Sequence, residues 1–189
     1  MSIKILIGGD LVPTKTNLEL FLKGDREYLV GNEISNLLDC ANFTVFNLEV
    51  PLTDRKSPIP KCGPNLIAPT ATIEGLRKIN PYFFTLANNH ILDQGSQGLS
   101  STKTVLGYAG ISWSGVGDTL EEAAKPFVTE VKGIKIGIYC CTEHEFSIAT
   151  ESTAGANPFD PLESFDHVKQ LKTEAEYVVV LYHGGKEHY

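Results

Sequence analysis

Four apolar, β-branched runs recur along the chain: "IKILIGG" (3–9), "FTVFNLE" (43–49), "YFFTLAN" (82–88) and "YVVVLYH" (177–183), with helically spaced segments between them. Runs this short, alternating with helical periodicity, predict βαβ units and a largely parallel sheet covered on both faces. Helices are expected over 32–41, 71–79, 97–109, 119–125 and 161–175. Two of them carry start signals. Thr119 with Glu122 fits a capping box, and Asp160, Pro161 and Glu163 fit an N-cap, a first-turn proline and an acidic first turn. "FVTEVKGIKIGIYC" is two strand-like runs joined around Lys132-Gly133, an antiparallel hairpin that makes the sheet mixed.

The size of the chain, 189 residues with 42% apolar and 21% charged content, suits one ordinary domain over 1–189. A formal charge of -7, with no run among the 16 basic residues, excludes a nucleic-acid binder, because phosphate contacts need clustered Lys and Arg. An anionic substrate would therefore need a local cation such as a metal. The start "MSIKILIGGD" is too short for a secretory apolar core or a membrane span, so a cytoplasmic chain is expected. Cys40, Cys62, Cys140 and Cys141 lack CxxC spacing and read as buried free thiols.

Residues 50–69 hold five prolines and a glycine, which rules out a helix or a central strand there. Loops of that length in a compact domain are usually functional or disordered. Residues 143–160 form a second, less informative loop. No phosphate-binding GxxxxGK[ST] motif, complete dinucleotide fingerprint or GxSxG elbow is present, and Ser147 or Ser152 near His144 is a weak coincidence.

In open α/β sheets, ligands bind beyond the carboxyl ends of strands. Here those ends carry Asp10, then Asn47 and Glu49, then Asn88, Asn89 and His90, and finally His183. Taken singly, each has an ordinary explanation as a turn, a cap or surface. Turn chemistry, however, does not require acid, acid, amide-imidazole and imidazole at successive strand ends. Carboxylate, amide oxygen and imidazole without thiolate suit Mn²⁺, Mg²⁺, Fe or Zn²⁺. Two such ions sharing a carboxylate would polarise a phosphoryl or acyl oxygen and activate water.

"GGDLVP", "FNLEVPLT", "LANNHILDQGSQGLSST", "GVGDTLEEAAKPFV" and "YHGGKEHY", in this order, resemble the CapA family of poly-γ-glutamate and capsule synthesis proteins, related to calcineurin-like metallophosphoesterases. The resemblance covers nearly the whole chain. It implies an α/β fold, a metallophosphatase-like four-layer αββα sandwich with mixed sheets. It also implies metal ligands at Asp10, Glu49 (bridging), Asn89 and His183. His90 would be the assisting imidazole and Asp93 its orienting carboxylate, the two catalytic positions. Asn47, Asn88 and Glu187 would be second-shell or substrate-binding residues. Lys61 and Asn65, on a loop expected to border the cleft, would meet an anionic substrate. The family pattern continues with a Gly-His-His-Pro-His element that would lie beyond Tyr189, so the chain is expected to be part of a longer domain.

The function implied is a divalent-metal hydrolase or transferase, with two ions, acting on a phosphoester or an amide-linked polymer. The alternative is a non-catalytic accessory or polymer-binding protein of a cell-surface polymer synthesis complex. Neither reading fixes the oligomeric state.

Overall fold

A computed structural model describes residues 2–185. They cluster into two compact units, one comprising residues up to Phe84 together with Leu92–Ser112, the other Thr85–Ile91 together with residues from Trp113 on.

The first unit is built on β1 (Ile5–Leu11) and β2 (Phe43–Leu48), which pair in parallel. Each residue of β2 is buried, as its unbroken apolar character requires of a central parallel strand. β1 is only partly covered, with Ile7 at 51% exposure, so the expected two-sided cover holds for β2 but not for β1. The strand order continues to β3 (Phe83–Thr85) and β4 (Ser112–Ser114). The helices are α1 (Leu18–Lys23), α2 (Arg26–Cys40), α3 (Ile73–Lys78) and α4 (Gly95–Ala109). α2 starts six residues before the expected helix because its chain bends at Gly31, where φ is 73°, so the periodicity is broken in the middle. Asp25 accepts a hydrogen bond from the Tyr28 amide and caps it.

The second unit contains β5 (Val116–Gly117) paired with β8 (Gly155–Ala156), and a mixed sheet of β6 (Phe127–Val131), β7 (Ile134–Thr142) and β9 (Tyr177–His183) in that order. β6 and β7 form the expected hairpin, and Lys132 and Gly133 at its tip have φ of 50° and 80°, the paired positive values of a tight hairpin turn. β7 and β9 are parallel, with Thr142 opposite His183. The crossover between them is α6 (Glu163–Glu174), whose Leu171 packs with Tyr139 and Cys141 of β7. Asp160 accepts from the amides of Leu162 and Glu163 at 2.8 and 3.0 Å, so the acidic start signal works three residues ahead of the first residue of α6. In front of α5 (Leu120–Ala123), Thr119 accepts from the Glu122 amide, while the Glu122 carboxylate reaches back to the Asp118 amide at 2.9 Å.

Cys140 and Cys141 are buried, but Cys40 and Cys62 are exposed, which corrects the expectation that all the thiols are buried. Burial pushes the Cys140 thiol up to about 12 and Cys141 up to about 11. The thiolate is the reactive form. A thiol reagent at neutral pH is therefore expected to label Cys40 and Cys62 in the native protein, and Cys140 and Cys141 only after denaturant is added. Equal labelling of all positions in native protein would contradict this burial.

Candidate functional site

The first unit places two acids at neighbouring strand ends. The β1–β2 register slips by one residue between Ile7 and Asp10, a bulge at Gly8-Gly9. At Gly8 a Cβ would come within 2.3 Å of the Phe46 ring, so a glycine is needed where that ring lies across the strand. Past the bulge, Asp10 stands opposite Asn47, whose Nδ2 donates to Asp10 Oδ1 at 2.7 Å. Glu49 follows at the end of β2, its amide bonded to the Leu11 carbonyl at 3.2 Å. The Asp10 and Glu49 carboxylates offer oxygens within 4.8 Å of one another. That is a concentration of negative charge suited to a hard cation.

The first unit also reveals what Asp93 and the proline-rich loop do. Asp93 is fully buried and forms an ion pair with Lys61, whose side chain is 2% exposed. Its Oδ2 accepts from the Leu66 amide at 2.5 Å and its carbonyl from the Ile59 amide at 3.1 Å. Gln94, next in sequence, accepts from the Ser57 amide and donates to the Leu66 carbonyl. Asp93 and Gln94 thus hold loop 50–69 in place. Lys61, expected as a cation for substrate, is instead the buried counter-charge of Asp93. A lysine in a proline-rich loop reads as solvated, and nothing local in the sequence marks its pairing. Asn65 is also turned to structure, its Nδ2 donating to the Ile59 carbonyl at 3.0 Å.

The second unit assembles the amide and imidazole positions. After Thr85 the chain leaves the strand and turns. Asn88 Oδ1 accepts from the His90 amide at 3.1 Å, an Asx turn, and the Asn88 carbonyl accepts from Ser147 Oγ at 2.6 Å. Asn88 is fully buried, Asn89 is 9% exposed and His90 is half-buried. Asn89 Oδ1 lies 3.2 Å from His183 Nε2. An amide oxygen and an imidazole nitrogen are both donor types that a divalent ion accepts. His183 is held by its backbone, since its carbonyl accepts from the Glu143 amide and from Thr142 Oγ1, both at 3.0 Å.

Sequence reasoning missed Glu143 and Glu145, which follow β7 directly. Glu145 Oε2 accepts from Asn89 Nδ2 at 2.8 Å, and Glu143 Oε2 accepts from the Gly185 amide at 3.2 Å. The available signal was the position of "TEHE" at the carboxyl end of a long apolar strand, the same signal that marked Asp10 and Glu49. Ser147, weighed against His144 as a nucleophile, is buried and used as a donor to Asn88. Glu187 lies outside the described residues.

A separate cavity of about 830 Å³ in the second unit is lined by Tyr139, His144, Asn157, Asp160 and His167, among others, and none of the expected ligands lines it. The Tyr139 hydroxyl donates to Ser164 Oγ at 3.0 Å and lies 3.2 Å from His167 Nδ1. Burial pushes the pKa of that phenol up, and its bond to Ser164 offsets part of the rise. Among the described residues no helix is long and apolar enough to cross a membrane.

The profile of the bacterial capsule synthesis proteins, PGA_cap, matches residues 4–189. The capsule biosynthesis protein CapA of Bacillus anthracis is 25% identical over 95% of this chain and 46% of its own length. The PGA biosynthesis protein CapA of Bacillus subtilis (strain 168) is 28% identical over 62% of this chain and 32% of its own length. This chain thus spans less than half the length of either relative. Among solved structures, a putative 5'-nucleotidase from Staphylococcus aureus superposes with a TM-score of 0.55 at 17% identity, over 99% of this chain and 38% of its own. A phosphatase from Mycoplasma pneumoniae gives 0.52 at 17% identity, over 98% and 57% respectively. The fold is therefore the mixed α/β fold of the metallophosphatases. With its profile matched along almost the entire sequence, the chain belongs to the bacterial capsule synthesis protein family, PGA_cap.

Proposed function

We propose that this chain carries ligands of a divalent-metal centre that hydrolyses or transfers a phosphoester or an amide-linked unit during capsule polymer synthesis. The observation that carries the reading is the donor chemistry of each unit: paired carboxylates at Asp10 and Glu49, and an amide oxygen 3.2 Å from an imidazole nitrogen at Asn89 and His183. These donor types suit Mn²⁺, Zn²⁺, Fe or Mg²⁺. Such an ion, when bound, polarises a phosphoryl or acyl oxygen and makes its bound water acidic. The protein's own part is to hold the donors. Asn47 fixes one oxygen of Asp10, the β7–β9 register fixes His183, and the Asx turn fixes the backbone on either side of Asn89. His90 follows directly and, as an imidazole, can give a proton to a leaving oxygen or face developing negative charge.

The phosphatase and nucleotidase names of the structural neighbours make a phosphodiester the first substrate to try. The test is calorimetric titration of Mn²⁺ and Zn²⁺ into wild type, Asp10→Ala and His183→Ala, with hydrolysis of a chromogenic phosphodiester followed in parallel. Removing a ligand is expected to weaken binding at least as much as removing an outer-shell partner, about 10–100-fold. A wild type that takes up neither ion and hydrolyses nothing would remove the reading. If metal binding is intact while His90→Ala leaves capsule production unchanged in a host that needs the gene, the accessory, polymer-binding role takes its place.

A further inference from the structure

We infer that Glu145 is a positioning residue that decides which end of the Asn89 carboxamide is presented as a ligand. This inference rests on the metal-centre reading above for its consequence, but not for its geometry. A carboxamide has two ends of almost equal size and opposite character: the oxygen can bind a cation and the NH₂ group cannot. In isolation neither orientation is preferred.

Asn89 is 9% exposed, so water cannot make the choice freely; its neighbours must. Glu145 makes it. An ionised carboxylate accepts hydrogen bonds and donates none. With Glu145 Oε2 2.8 Å from the carboxamide, the atom facing it has to be Nδ2, because the reverse placement would set two acceptor oxygens against each other. The charge-assisted bond is also stronger than a neutral one. Oδ1 is thereby turned to the His183 side, 3.2 Å from Nε2. His183 alone could not enforce this, since an imidazole nitrogen is a donor or an acceptor according to tautomer.

Glu145 is itself placed by the chain that leaves β7. The Glu145 amide bonds to the Glu143 carbonyl at 3.1 Å, and Glu143 holds the chain after His183 through the His183 carbonyl and the Gly185 amide. One acidic turn thus orients the amide ligand through a side chain and steadies the imidazole ligand through the backbone. Outer-shell partners of this type typically change metal affinity by about 10–100-fold.

The experiment compares wild type, Glu145→Ala, Glu145→Gln and Asn89→Ala by two readouts. The first is the Asn89 side-chain amide pair in a ¹⁵N–¹H correlation spectrum, identified by its absence in Asn89→Ala. Wild type is expected to show one proton shifted downfield and slow to exchange. Glu145→Ala should lose both properties, and Glu145→Gln, which can donate as well as accept, should shift the pair toward the unbonded position. The second is Mn²⁺ or Zn²⁺ titration, in which Glu145→Ala is expected to bind about 10–100-fold more weakly and Glu145→Gln to fall between it and wild type. Because Glu145 is exposed, thermal unfolding should barely change in either variant.

Unchanged metal affinity in both Glu145 variants, alongside lost affinity in Asn89→Ala, would overturn the positioning role and leave the metal centre standing. If wild type binds no ion, the metal-centre reading fails. The amide resonances then decide whether Glu145 orients Asn89, and an unaltered pair in Glu145→Ala would overturn that as well.

Discussion

Asp93→Ala is expected to destabilise the first unit by about 3–5 kcal/mol, measured as a lower urea midpoint at unchanged slope. The substitution leaves the Lys61 ammonium, on a side chain 2% exposed, without its counter-charge, and leaves the Leu66 amide without its acceptor. Removing one member of a buried pair costs far more than the pair contributes when intact, because the survivor has lost water and gained nothing. Replacing both members by apolar residues, Lys61→Met with Asp93→Leu, should recover a large part of the loss, and that recovery is the signature of coupling. If Asp93 served only to orient the neighbouring imidazole, Asp93→Ala would reduce activity and leave the unfolding free energy within about 0.5 kcal/mol of wild type. The two roles are separated by a single unfolding curve.

Gly115→Ala is the second large effect. Gly115 has φ of +88°, where an L side chain costs about 1–2 kcal/mol. Its new Cβ would stand 2.7 Å from the Cβ atoms of both Ala87 and Cys140, and 3.1 Å from the Ala87 amide nitrogen. Overpacking of that kind costs about 1–3 kcal/mol more. A total of roughly 2–5 kcal/mol corresponds to a fall of about 4–20 °C in the melting temperature of a chain this size. Because Ala87 precedes the Asn88-Asn89-His90 turn, relief by shifting it would also move Asn89, the proposed amide ligand. Weaker Mn²⁺ or Zn²⁺ binding is therefore expected to accompany the thermal loss, and a variant that melts like wild type would show that the contact is slack.

What the sequence made legible follows from how locally each feature is determined. β2, β7 and β9 are continuous apolar runs whose periodicity needs no partner to be recognised, and the β6–β7 turn is spelled by Lys132-Gly133. β3 was only half legible. Its apolar run extends to Leu86 and Ala87, but the strand ends at Thr85, where Thr85 Oγ1 accepts from the Ala87 amide and the turn begins. α1, with six residues, and β5 and β8, with two each, are too short to carry any periodicity. Asp10, Glu49, Asn89 and His183 were visible because unusual residue types fall at strand ends. Glu145 was not, since the amide it orients is 56 positions away and its own segment has no regular pattern. The pairing of Lys61 with Asp93 was hidden for the same reason: nothing local marks it until the fold buries the two together.

The way the chain passes between the two units limits how this protein can be cut. The polypeptide leaves the first unit at Thr85, returns at Leu92 and leaves again after Ser112, so seven residues of the second unit are enclosed between stretches of the first. A fragment beginning at Trp113 would keep β6, β7 and β9 and still lack Asn88 and Asn89. Its Ser147 and Glu145 would then meet solvent in place of the groups they hold in the uncut sequence. Any shuffling of this fold between genes therefore has to move both units as one piece of sequence, because Asn88 and Asn89 are encoded inside the other unit's half.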